Sequence, residues 1–120
     1  AYAEAKSAKR EAERNFDAAE ITVTADVRQA LENLRNAQQE LQLQRENADL
    51  VQRNRDLVEK EYKAGVGSLV RLNEAQRDLV QAQARLATAL VALRSAWFQV
   101  QTATAESLER FREESSPLTE

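Results

Sequence analysis

Ala64-Gly65-Val66-Gly67-Ser68 interrupts a chain that otherwise has the composition of continuous helix, and it contains both glycines of the 120 residues. The chain has a single proline, and residues that favour helices dominate it. Gly65 suits the left-handed position after a helix, and Ser68 suits the N-cap of the next helix. A short connection between long helices makes them antiparallel. We therefore predict an all-α fold, a long antiparallel two-helix coiled-coil hairpin, with a first helix over residues 1–64, a tip turn over 65–68, a returning helix over 69–115 and a tail over 116–120.

Downstream of this stretch the heptad repeat is regular. Leucine recurs every seven residues, and alanine follows each leucine by three residues, so the predicted hairpin seam comprises Leu72, Ala75, Leu79, Ala82, Leu86, Ala89, Leu93 and Ala96. Small alanines allow two helix backbones to approach closely, while leucines fill the flanks of the contact. We expect this seam to hold the returning helix against the first helix.

Upstream of the bend, the first helix carries a matching seam. Two lines of residues recur every seven positions: Phe16, Val23, Ala30, Ala37, Gln44, Val51 and Val58, and then Val27, Leu34, Leu41, Ala48, Arg55 and Tyr62. Gln44 and Arg55 are polar interruptions of the kind that can fix the register of a coiled coil. A third line, Leu43, Leu50 and Leu57, widens the apolar face toward the bend.

The charged residues beside the bend suit the helix ends unequally. Lys60 and Lys63 fall in the last turn of the first helix, where positive charge complements the helix dipole. Arg71 falls three residues after Ser68, at the position where a capping box has Glu or Gln. The N-cap of the returning helix is therefore expected to form only half of that motif.

Composition and charge argue against several classes of function. The formal net charge is −3, and 17 basic and 20 acidic residues are interspersed, which indicates a solvated helical surface and not the basic stripe that binds nucleic acid. The chain has no cysteine and no histidine. It therefore lacks a thiolate nucleophile, the commonest general base and the commonest zinc ligands. We predict a protein that is not an enzyme, with no catalytic site, cofactor, metal site or nucleic-acid partner.

Apolar residues also line faces outside the seam. They form the lines Ala84, Val91, Phe98 and Ala105, and Leu90, Trp97 and Phe111. Two helices alone cannot cover this surface, so we expect self-association or further segments of a larger protein. Residues 1–16 are expected to overhang the shorter returning helix. The longest apolar-rich run, residues 86–93, is too short to span a membrane, so the chain as given is predicted to be soluble.

The residues around the bend resemble the periplasmic tip of the outer-membrane efflux protein family, the TolC-type channels. That family has the pattern aromatic-x-x-Gly-x-x-Ser/Thr-hydrophobic-x-x-Leu-x-x-Ala-x-x-x-Leu. The residues that fill this pattern are Tyr62, Gly65, Ser68, Leu69, Leu72, Ala75 and Leu79. Residues 26–34 are similar to the family's descending helix and residues 96–100 to its returning helix, so the resemblance covers roughly residues 5–105.

The resemblance implies a specific place in a larger assembly. Family members are trimers whose protomers contribute strands to an outer-membrane barrel and helical hairpins to a periplasmic α-barrel. The hairpin tips meet a periplasmic adaptor (membrane fusion) protein, which connects the channel to an inner-membrane pump that exports drugs, metals or proteins. This chain would then be the periplasmic part of a Gram-negative outer-membrane protein.

The same resemblance assigns roles to residues of the bend. Gly65, Val66, Gly67, Ser68 and Leu69 match the tip and are the candidate adaptor contacts. The glycines would expose backbone to a partner helix, since no side chain blocks its approach. Tyr62 matches an aromatic residue that helps to close the channel entrance in some members, and is therefore a possible gate; the basic residue that cooperates with it there corresponds to Gly67.

Two main alternatives stay open on the sequence. The chain could be the helical hairpin of the periplasmic adaptor itself, which would show flanking β-segments and an Arg/Leu/Ser tip pattern. It could also be a coiled-coil scaffold protein, which would need neither the tip pattern nor a second apolar face. A helical arm that binds RNA should carry a basic stripe, and the interspersed acidic residues argue against it.

Overall fold

The computed structural model describes residues 2–115, which form two helices joined by a short turn. Helix α1 spans Tyr2–Lys63 and helix α2 spans Leu69–Ser115. The prediction of an all-α, two-helix hairpin is confirmed. Helix α1 ends one residue before the predicted boundary, because Ala64 already belongs to the turn. The predicted tail, residues 116–120, lies outside the described residues.

The chain divides into two compact units, and each helix contributes one segment to each of them. The first, which we call the bend unit, comprises residues 34–96 and contains the turn. The second, the terminal unit, comprises residues 2–33 and 97–115 of the described chain.

The core of the bend unit is a narrow seam between its two helical segments. The buried residues are Leu34, Leu41, Ala48 and Val58 from α1, and Leu72, Ala75, Ala82, Ala89 and Ala96 from α2. Val58, Leu72 and Ala75 form one buried cluster. Of the eight predicted seam residues, five are among the buried set and the other three, Leu79, Leu86 and Leu93, are half-buried.

The alanines are more deeply buried than most of the leucines because of their size. A short side chain on the contact line lets the helices approach until it is covered, while a leucine reaches past that line and keeps part of its surface in water. Arg55 and Gln44, the polar interruptions of the seam, are half-buried. Gln44 donates a hydrogen bond from Nε2 to Oε1 of Glu40 at 2.9 Å, so its amide is satisfied within α1.

The terminal unit is less well packed than the bend unit. Ala30 is its buried residue within the described part of the chain, and Val23, Val27, Val100, Ala103 and Ser107 are half-buried. Residues 2–22 of α1 are exposed on every face, and they include most of the predicted overhang. The hydroxyls of Thr22 and Thr24 donate to the carbonyls of Ala18 and Glu20, each at 2.9 Å, so these side-chain donors are satisfied within α1.

The helical bend as a candidate docking site

Helix α1 ends in a Schellman motif. The amide of Gly65 donates to the carbonyl of Tyr62, and the amide of Val66 donates to the carbonyl of Glu61, both at 3.0 Å. Gly65 has a φ of +80°, which is the left-handed conformation that this motif requires. The sequence prediction for Gly65 as the residue that ends the helix therefore agrees with its backbone geometry.

Helix α2 begins at a serine cap. The Oγ atom of Ser68 accepts a hydrogen bond from the amide of Arg71 at 3.2 Å, and the carbonyl of Ser68 accepts the amide of Leu72 at the same distance. Ser68 thus satisfies an amide that the first turn leaves without a helical partner. This bond leaves the Ser68 side chain exposed but occupied by its own helix.

Gly67 packs closely against the end of α1. A Cβ atom at Gly67 would lie 3.1–3.2 Å from the nitrogen of Tyr62 and from the carbonyl carbon and Cβ of Glu61. A Cβ atom at Gly65, by contrast, would meet nothing within 4 Å. The missing side chain at Gly67 therefore makes room for the end of α1, whereas the Cβ side of Gly65 faces open space.

Three exposed apolar residues adjoin this open glycine. Val66, Leu69 and Val70 are 80%, 53% and 75% exposed, and we call them the tip patch. In a Schellman motif the residue at the Val66 position often packs on an apolar side chain of the preceding helical turn. Here the corresponding position holds Glu61, so Val66 remains in solvent. Sequence reasoning missed Val70, although its apolar character directly after Leu69 was a usable signal.

Tyr62, the predicted gate residue, lies in the last turn of α1. Its side chain is 40% exposed, although its position belongs to the seam repeat. Its main chain is part of the bend, because its carbonyl accepts from Gly65 and its nitrogen lies against Gly67.

The charges around the bend form one contact between the helices and one network within α1. Glu61 and Arg71 join α1 to α2, with 3.8 Å between Oε2 and a guanidinium nitrogen. Within α1, Arg55 contacts Asp56 at 3.2 Å and Glu59 at 3.1 Å, and Glu59 also contacts Lys63 at 3.3 Å. The Nε atom of Arg55 is buried and has no hydrogen-bond partner. Sequence reasoning did not single out Glu61. The signal that could have found it is an acidic residue in the last turn of a helix, where the helix dipole favours positive charge.

The bend therefore offers open backbone at Gly65, an apolar patch and a rim of paired charges. This combination suits the docking of another protein, because apolar surface and accessible backbone are what a partner helix contacts. Among residues 2–115, no group of acidic side chains is arranged to hold a metal ion. Over the same residues, neither helix has a stretch long and apolar enough to cross a membrane.

The family described as outer membrane efflux protein matches residues 1–106, which include the whole bend unit and part of the terminal unit. No curated protein and no solved structure matches the chain.

Proposed function

The chain belongs to the outer membrane efflux protein family, which is a family of transport components, and from this we propose that it is a periplasmic helical hairpin that docks through its tip to the adaptor protein of a tripartite export pump. Membership favours the channel over the two alternatives left open by the sequence, the adaptor's own hairpin and a coiled-coil scaffold. The proposed partner is the periplasmic adaptor, and the proposed contact residues are Gly65 and the tip patch.

The observation that carries this proposal is the exposure of the tip patch. Single exposed apolar residues are common on protein surfaces, but the bend has three of them in a stretch of five residues, which concentrates apolar surface at the tip. Neither the Schellman motif nor the serine cap needs Val66 or Val70 to be apolar. An adaptor helix that covers the patch would remove it from water, and the open side of Gly65 would let the two backbones approach closely.

A second set of exposed residues supports self-association in a trimer. With Leu72 at heptad position a and Ala75 at position d, the exposed large apolar residues of the described part of α2 all fall on positions b, e and f. They are Leu69, Val70, Val80, Leu90, Val91, Trp97, Phe98, Leu108 and Phe111. Positions c and g of the same helix are polar except for Ala92. One flank of α2 is thus suited to a neighbouring helix and the other to water, as the wall of a helical barrel requires.

Tyr62 has a separate role in this proposal. It is the aromatic residue nearest the bend, and part of its side chain is exposed beyond the last buried cluster of the seam. We assign it to the channel entrance as a gate residue, while Gly65 and the tip patch bind the adaptor.

The test is a photo-crosslink from position 68 in the full-length protein inside cells. Capture of a periplasmic adaptor is the expected result, because position 68 lies between Val66 and Leu69. The matched control places the same crosslinker at Thr102, an exposed residue of α2 in the terminal unit, where we expect no adaptor. Capture of cytosolic proteins or RNA alone from position 68 would overturn the proposal.

A further inference from the structure

Glu61 and Arg71 each carry the charge that is unfavourable for their place in a helix. Glu61 lies in the last turn of α1, where the helix dipole favours cations, and Arg71 lies in the first turn of α2, where it favours anions. Exchanging the two residues would suit both helix ends better. Local helix stability therefore does not account for this pair of residues.

The two side chains face each other across the bend. Their contact of 3.8 Å joins α1 to α2, whereas Asp49–Arg53, Arg55–Asp56, Arg55–Glu59 and Glu59–Lys63 all lie within α1. The side chains of Arg71 and Glu61 are 66% and 37% exposed. A pair this exposed adds little to the stability of the fold. Its consequence is geometric, because it restrains the first turn of α2 relative to the last turn of α1.

Glu61 also stabilises the bend through its main chain. Its carbonyl oxygen accepts the amides of both Val66 and Gly67 at 3.0 Å. Its Cβ atom and carbonyl carbon form the surface against which Gly67 packs. Glu61 thus holds the turn through its carbonyl oxygen and the first turn of α2 through its carboxylate. The residues of the tip patch belong to these two segments.

We propose that Glu61 and Arg71 are a positioning pair that sets how the tip patch is presented to the adaptor. This inference rests on the proposed function, and it concerns the orientation of the docking surface. The two charges act on each other and do not themselves contact the adaptor. A partner that covers Val66 and Leu69 together needs the turn and the first residues of α2 in a defined relation, and the pair supplies it.

The test measures the yield of adaptor crosslinked from position 68 in the full-length protein in cells. Glu61→Gln and Arg71→Gln should each lower the yield by about two- to five-fold, the range that corresponds to losing an exposed ion pair. The melting temperature should stay unchanged or rise slightly, since each change removes an unfavourable charge from a helix end. The double exchange, Glu61→Arg with Arg71→Glu, should restore the yield. It keeps an ion pair between the two helices and exchanges only which helix carries each charge.

A substitution within α1 serves as the matched control for both single variants. Asp49→Asn breaks an exposed pair of 2.9 Å that lies within α1, and it should leave the yield unchanged. A double exchange that binds less adaptor than either single variant would show that the adaptor reads the charges directly, and would overturn the positioning role. Unchanged yields in both single variants would overturn it as well, with the proposed function intact. Absence of any adaptor crosslink in the unmodified protein would overturn the proposed function, and this inference with it.

Discussion

A Cβ atom on Gly67 would lie 3.1 Å from the backbone nitrogen of Tyr62. This distance shows that the start of the returning chain lies directly on the end of α1. Gly65, two residues earlier, has open space on its Cβ side but a backbone conformation that L-residues rarely adopt. The two glycines are therefore required for different physical reasons, one steric and one conformational.

Gly67→Ala should lower the free energy of unfolding by about 1–3 kcal/mol, the usual cost of forcing atoms into a packed contact. The atoms that the new methyl group meets belong to the main chain and Cβ of α1, so they cannot move aside as a flexible side chain would. Thermal unfolding followed by circular dichroism measures the change. Val66→Ala, at a site 80% exposed, is the control and should change stability by less than about 0.5 kcal/mol. Equal stability of the two variants would contradict the steric role of Gly67.

Gly65→Asn should keep both helices and lose adaptor docking. Asparagine adopts the left-handed conformation at a lower cost than alanine, for which the cost is about 1–2 kcal/mol. Its side chain would project into the space that we assign to the adaptor. Circular dichroism should show unchanged helicity, and the crosslink yield from position 68 should fall about tenfold, equivalent to 1.4 kcal/mol. If helicity is lost as well, the role of Gly65 is structural alone.

Val66→Asp should reduce docking without changing the fold. Val66 lies in solvent in the described structure, so a charged side chain there costs little in the free chain. Under the adaptor, the same carboxylate would be desolvated without a partner, which is unfavourable. We expect the crosslink yield from position 68 to fall about tenfold. Gln81→Asp adds the same charge at an exposed site on the polar side of α2 and should have no effect. A yield unaffected by Val66→Asp would exclude Val66 from the contact.

Arg55→Leu should stabilise the hairpin by about 1 kcal/mol. Arg55 occupies a seam position, its side chain is 27% exposed, and its Nε atom is buried without a partner. Leucine, although shorter, would place apolar surface against the seam and remove the unsatisfied donor. Thermal unfolding measures the gain, and Arg53→Leu, at an exposed site on the same helix, should give none. A lower melting temperature for Arg55→Leu would mean that its contacts with Asp56 and Glu59 outweigh the buried donor.

Ala82→Leu should destabilise the bend unit by about 1–3 kcal/mol through overpacking. Ala82 is 3% exposed, the least of the buried alanines, so the larger side chain would push the two helical segments apart. Ala87→Leu is the matched control at an exposed position of α2 and should be neutral within about 0.5 kcal/mol. If both substitutions are neutral, the alanine seam does not set the separation of the helices.

Local patterns in the sequence determined most of the fold. The heptad repeat predicted both helices and the seam residues that pack where the helices meet. A helix places every third or fourth residue on one face whatever lies around it. Gly65 and Ser68 predicted where one helix ends and the next begins, because left-handed glycine and serine caps are local preferences. The efflux family was likewise recognisable from the spacing of residues around the bend.

The tertiary structure decided what depends on the path of the chain through the turn. Only the folded bend brings Gly67 onto Glu61 and Tyr62, and only there does Arg71 lie beside Glu61. Residues 61 and 71 belong to different helices, so no helical period relates them. The turn geometry that joins them comes from three hydrogen bonds to the carbonyls of Glu61 and Tyr62. The sequence by itself therefore determined the two helices and the place of the bend, and the three-dimensional contacts decided which residues hold the bend and which face outward.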